Sequence, residues 1–149
     1  RYSMRYHKQL RYLSFVLAAF VLCGCQHAAR DTTGFALENT FTADASFEDT
    51  WQAVKSVLQE AELEIYTRDR RGTFVAYSKM KRRFYQPTRI KYTIELASAS
   101  SEETLVYCET LRQKYGVTLL TYPDWHDRKT NDEEPTQALL AALRAKLAE

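Results

Sequence analysis

The chain predicts an α+β domain: a single antiparallel sheet of about five strands with two helices packed on one face, in the order β-α-β-β-β-β-α. Three observations carry this. Ile90, Tyr92, Ile94 and Leu96 alternate with Lys91, Thr93 and Glu95, the period-two pattern of a strand with one face in a core and the other in water. Phe47, Trp51, Val54, Leu58 and Ala61 recur at spacings of four and three, the apolar stripe of an amphipathic helix. Between that helix and a second stripe at Leu139, Leu140, Leu143 and Leu147, the strand connections are of hairpin length, which favours antiparallel pairing.

Taken in order, Phe35 to Thr42 carries apolar residues at 35, 37 and 41 and reads as the first strand. Ser46, with Asp49 three residues on, resembles a capping box at the start of the first helix. Trp51 belongs to that helix's stripe and reads as core rather than as a binding residue. Leu63 to Arg70 and Thr73 to Lys81 flank Arg71-Gly72, where glycine suits a left-handed hairpin turn. In the second arm, Phe74, Ala76, Ser78 and Met80 share one face, and Val75, Tyr77, Lys79 and Lys81 the other. Gln86-Pro87-Thr88 reads as a break before the strand Arg89 to Ala97. Glu103 to Arg112 is a further strand, with Val117 to Tyr122 running on past Gly116 as a short strand or extended loop. Pro123 to Glu134 is polar and without period, hence an exposed loop. Pro135 suits the first turn of the last helix.

The N-terminal stretch has a different grammar. Arg1, Arg5, Lys8 and Arg11 precede an apolar run from Leu13 to Gly24 broken only by Ser14, and no acidic residue occurs before Asp31. A basic segment, a short apolar core and a small residue before the cut describe a secretory signal peptide, for which the segment from Met4 suffices. The run is too short for a spanning helix, which needs about 20 apolar residues. An uncleaved anchor and a buried core helix are the competing readings. Leu22-Cys23-Gly24-Cys25 resembles a bacterial lipobox. That resemblance implies cleavage after Gly24, diacylglycerol on Cys25 and an acylated terminus, and Leu22 before Cys23 makes Cys23 the poorer candidate. Two or more acyl chains are enough for stable anchoring. The expected organisation is residues 1–24 signal peptide, 25–34 lipidated cysteine and tether, and 35–149 domain. The protein is then membrane-anchored and faces the periplasm. Gln26, rather than an aspartate, after the lipidated cysteine favours the outer membrane in lipoproteins of two-membrane bacteria.

Losing residues 1–24 changes the charge from +2 to −2, since four basic and no acidic residues leave with it. The basic balance of the whole chain is therefore a property of the signal segment and gives no reason to expect nucleic acid as a partner. Cys23 leaves and Cys25 is lipidated, so Cys108 has no disulfide partner within the chain.

Within the domain, nine basic residues and one acid, Asp69, lie between Arg68 and Lys91, interleaved with Tyr77, Phe84, Tyr85 and Tyr92. Arg70, Arg71, Lys81, Arg82 and Arg83 are the candidate contact residues for an anionic glycolipid, lipid headgroups or an acidic partner. The plainer reading is a solvated sheet face with lysines that guard an edge. Asp124, His126 and Asp127 are the residues nearest to a metal or acid-base group. All three sit on one polar stretch without a second histidine nearby, so no metal site, catalytic residue or cofactor is assigned. Cys108, on a strand without a histidine or glycine-rich turn beside it, reads as a small buried residue.

Beyond the signal, Ser46, Trp51 and Gly72 stand in a strand, Ser-x-x-x-x-Trp helix and Gly-turn hairpin that is similar to small bacterial envelope lipoproteins. The lipoprotein accessory subunit of the outer-membrane barrel-assembly machinery uses comparable helix-on-sheet domains. The resemblance covers about Phe35 to Val106 and transfers no site residue. With no Gly-x-Ser-x-Gly, His-Glu-x-x-His, Cys-x-x-Cys or phosphate-binding loop in the sequence, the expected function is a non-enzymatic domain with a binding or assembly role in the cell envelope. The alternatives are an anionic lipid or glycolipid module using the 68–91 patch and a small metal-dependent hydrolase around His126.

Overall fold

The computed structural model describes residues 32–117 and 122–149, except for the side chain of Arg83. The signal segment, Cys25 and the tether as far as Asp31 lie outside the described residues. Residues Thr32–Glu149 make one compact unit.

Its elements are β1 (Leu37–Ala43), α1 (Phe47–Glu60), β2 (Glu64–Arg68), β3 (Thr73–Tyr77), β4 (Lys81–Arg83), β5 (Gln86–Ser98), β6 (Thr104–Gly116), β7 (Asp124–Arg128) and α2 (Glu134–Leu147). All seven strands join one antiparallel sheet. The expected sheet of about five strands is thus corrected to seven, with six rather than four strands between the helices. The two additional strands are β4 and β7, and each has a physical reason for escaping a pattern search. β4 is three residues long and basic throughout. β7 (Asp-Trp-His-Asp-Arg) has a single large apolar side chain, Trp125, among four polar ones, so it shows no hydropathic alternation where an exposed loop was expected. Gln86-Pro87-Thr88, expected as a break, opens β5 and pairs with β4.

The order β1-β6-β5-β3-β2 spans the sheet. β1 covers Thr104 to Thr110 of β6, and β7 continues along the same edge over Arg112 to Gly116. On the far side of β5, β3 and then β4 do the same. The join between β3 and β4 is a bulge, in which Ser78, Lys79 and Met80 face only Arg89 and Ile90 of β5. Ser78 takes up both polar groups of Ile90: its N–H donates to the Ile90 carbonyl, and its Oγ accepts from the Ile90 N–H, each at 2.9 Å. The bulge also moves Lys81 onto the same sheet face as Thr88, opposite to the face that simple alternation predicts for it.

Both helices pack on one face of the sheet. Trp51, Val54 and Leu58 of α1 and Leu139, Leu140 and Leu143 of α2 are buried against Phe74, Ala76, Tyr92, Ile94, Leu96, Val106 and Cys108. Each such large side chain contributes about 1.5–3 kcal/mol by leaving water. Ser46 caps α1 by accepting the Asp49 N–H at 3.2 Å. At its other end Glu62 N–H donates to Gln59 and Leu63 N–H to Leu58, a Schellman closure with Glu62 at φ 54° where glycine is commonest.

Element length then decides what is left uncovered. β5 and β6 have 13 residues each, roughly 43 Å at ~3.3 Å per residue. The helices have 14 residues each, roughly 21 Å at 1.5 Å per residue. The sheet outruns its helix layer, and the surplus is a projecting end built from β4, β7 and the adjoining parts of β5 and β6.

Candidate functional site

The projecting end terminates in two tips. One is the β4–β5 turn, in which Arg83 pairs with Gln86 and only Phe84 and Tyr85 lie between. Both have positive φ, 48° and 65°, as a two-residue type I′ turn requires. That turn ordinarily takes Asn-Gly, because an aromatic Cβ in the left-handed region is strained. The two rings gain nothing from the fold in return: Phe84 is 89% and Tyr85 97% exposed. The other is where β6 ends and β7 begins, and there Val117 and Tyr122 are also exposed. Met80, in the bulge, adds a further exposed apolar side chain.

Basic residues border these tips. Among the described residues, Lys81, Arg82, Arg112 and Lys114 make no ion pair. By strand register Lys81, Arg112 and Lys114 share the helix-side face, with Arg82 on the other. Arg83 belongs to β4 by its backbone, and its side chain lies outside the described atoms.

The stretch 68–91 that reads as one patch in the sequence is two separate groups. Arg70 and Arg71 sit in the β2–β3 turn, next to Gly72, which bonds to Leu96 of β5. Lys81 pairs with Thr88, eight positions away along the same strand, or about 26 Å. Arg70 and Arg71 are also engaged. Arg70 donates to Glu48 at 3.0 Å and its guanidinium stacks 4.5 Å from the Trp51 ring. Arg71 holds Asp69 at 2.7 Å, and this contact keeps the Asp69 carboxyl below its usual range. These are exposed pairs worth little to stability, but they order the turn. Trp51 itself is buried at 3% exposure and donates Nε1–H to the Asp69 carbonyl at 2.9 Å.

The sheet also separates the three residues that read as a metal or acid-base group. In β7, Asp124 and His126 register with Gly116 and Lys114 on the helix-side face, whereas Asp127 registers with Gln113 on the other. Among the described residues, no group of three or more His, Cys, Asp or Glu side chains is placed to hold a metal ion. Asp127 instead accepts from Gln113 Nε2 at 2.9 Å, and Gln113 Oε1 accepts from Arg89 Nε at 2.8 Å. The Arg89 guanidinium lies between two rings, 3.9 Å from Tyr77 and 4.0 Å from Trp125. This network spans β3, β5, β6 and β7 and stiffens the projecting end. Sequence reasoning missed it because its members are far apart in the chain and none belongs to an apolar period.

Cys108 is fully buried, and burial pushes its thiol up to about 11. Such a thiol is a poor nucleophile. Burial likewise raises Tyr92 to about 12. Among the described residues, no helix is long and apolar enough to cross a membrane.

No protein-family model matches the chain, and no curated protein matches it. Among solved structures it is similar to the adenylate sensor from AMP-activated protein kinase, determined in complex with 5-aminoimidazole-4-carboxamide 1-beta-D-ribofuranotide. The two share 14% identity with a TM-score of 0.45, over 73% of this chain and 94% of that one. The likeness is loose and carries no functional information.

Proposed function

We propose that this chain is a lipid-anchored, non-enzymatic binding domain of the bacterial cell envelope. It is tethered through Cys25 and meets an anionic membrane or glycolipid interface with the projecting end of its sheet. The observation that carries the contact surface is the Phe84-Tyr85 turn. Two aromatic side chains are held in strained backbone positions, almost wholly in water, beside Lys81 and Arg82, which have no acidic partner among the described residues. Aromatic rings favour the headgroup level of a bilayer, and each basic residue near an anionic surface adds about 1 kcal/mol. The lipobox supports the anchor, and a tether of nine residues, at most ~32 Å long, keeps the domain at that surface. The separation of Asp127 from Asp124 and His126 tells against the alternative of a metal-dependent hydrolase around His126.

The contact is tested on Thr32–Glu149, which contains every core residue named above and lacks the apolar N-terminal run. It should sediment with vesicles containing phosphatidylglycerol and not with pure phosphatidylcholine. Phe84→Ser/Tyr85→Ser should abolish the difference, and sedimentation equal to wild type would remove this end from the reading. The anchor is tested by the mass of the mature species, which should begin at Cys25 and carry acyl chains. A mature chain beginning at or before Gly24, or an unacylated one, overturns it.

A further inference from the structure

Beneath the end of the helix layer lies a cavity of about 240 Å³. Its floor alternates along two strands, with Thr88, Ile90 and Tyr92 from β5 and Thr110 and Arg112 from β6. Lys81 stands at one side, and Asp132 and Pro135 close it where α2 begins.

The charge of this cavity is not balanced by ion pairs among the described residues. Arg112 is half-buried and lies in register with Arg128, with Lys114 next on the same face. Like charges directly opposite each other destabilise a strand pair, and among the described residues no carboxylate pairs with Arg112, Lys114 or Lys81. Asp132 is the acid that lines the cavity, and its Oδ1 accepts the Glu134 N–H at 3.3 Å.

We propose that this cavity binds a phosphate group carried on an apolar body. Cations from two strands, Lys81 of β4 and Arg112 of β6, line the cavity and match the several oxygens of a phosphate. The cavity is larger than the group itself, and Ile90, Tyr92 and Pro135 supply apolar surface for what the phosphate is attached to. The site does not depend on the tether; it shares Lys81 with the Phe84-Tyr85 contact, while Arg112 belongs to the cavity and not to that turn. Its source is either a soluble phosphomonoester or a phospholipid headgroup, which share this chemistry.

The test is calorimetric titration of the full chain in neutral detergent with inorganic phosphate, phenyl phosphate and short-chain phosphatidic acid. Phenyl phosphate or phosphatidic acid should bind saturably and at least about tenfold more tightly than inorganic phosphate. Whichever of the two binds more tightly identifies the source. Arg112→Gln should weaken binding about tenfold or more, and Arg70→Gln, at the other end of the sheet, should leave it unchanged. Lys81→Gln, at an exposed position, should weaken binding as well and serves if Arg112→Gln fails to fold. Absence of saturable binding by both organic phosphates overturns the site. So does equal affinity for inorganic phosphate, or wild-type binding in the Lys81→Gln protein.

Discussion

Phe84 and Tyr85 occupy consecutive left-handed positions, φ 48° and 65°, and both rings are exposed to water. Each non-glycine residue held there costs about 1–2 kcal/mol. The turn is therefore a place where stability and surface chemistry are opposed. Phe84→Asn/Tyr85→Gly should raise the unfolding free energy by about 1–2 kcal/mol, since Asn-Gly is the preferred pair for this turn. The same variant should lose vesicle sedimentation. Denaturant melts read the first effect, and a variant that is destabilised would mean that the turn carries no strain.

Gly72 faces a different constraint. It has φ 109°, and its carbonyl accepts the Leu96 N–H at 2.9 Å. A Cβ built on it would stand 2.6 Å from the Leu96 carbonyl oxygen and 3.1 Å from Phe47 Cζ. The backbone of β5 cannot retreat without losing its pairing to β6. Gly72→Ala should destabilise the fold by about 3 kcal/mol, more than backbone strain alone, and thermal or denaturant melts would show it. A loss below about 0.5 kcal/mol, within the range of a neutral surface change, would mean that the turn gives way freely.

What the sequence made legible follows the apolar periods. α1 and α2 stand over their stripes, Ile90 to Leu96 supplies the core face of β5, and Trp51 packs on Phe74 of β3. Gly72 marked its turn because no other residue tolerates the geometry. The projecting end was illegible for the opposite reason. β7 pairs through its backbone while carrying a single large apolar side chain among four polar ones, and the β4–β5 turn uses two aromatic residues where a sequence reader looks for glycine or asparagine. The bulge at Ser78–Met80 then inverts the facing of Lys81, so simple alternation places that lysine away from the cavity it borders. Nearness in sequence also misled: Arg71 and Lys81 are ten positions apart but lie at opposite ends of the sheet.

The Arg89 clamp is the best candidate for what holds the projecting end rigid. Lysine at this position would keep the charge but lose the planar stack between Tyr77 and Trp125 and the Nε bond to Gln113. Arg89→Lys should cost about 1–2 kcal/mol, from one charge-assisted hydrogen bond and part of two cation-π contacts. Amide exchange should rise in β7 before it rises in β1, because the network joins β7, rather than β1, to β5. Equal protection of both strands in the variant would show that backbone pairing alone fixes β7.

Alkaline pH should expose the two raised acids. Cys108 ordinarily loses its proton near 9 and is pushed up to about 11 in the fold, while Tyr92 moves from near 10 to about 12. Between these values the unfolded chain releases protons that the folded chain retains, so unfolding is favoured as pH rises. The slope is about 1.4 kcal/mol per pH unit for each group in its window. Cys108 alone should remove roughly 2–3 kcal/mol between about pH 9 and 11, with Tyr92 adding to the loss above about 10. Cys108→Ala should be less stable than wild type at neutral pH, by about 1 kcal/mol for the lost sulfur contacts, yet show a flatter decline above about pH 9. Urea melts of the two proteins at a series of pH values read both quantities, and parallel declines would mean that Cys108 titrates in the fold as it does in the open chain.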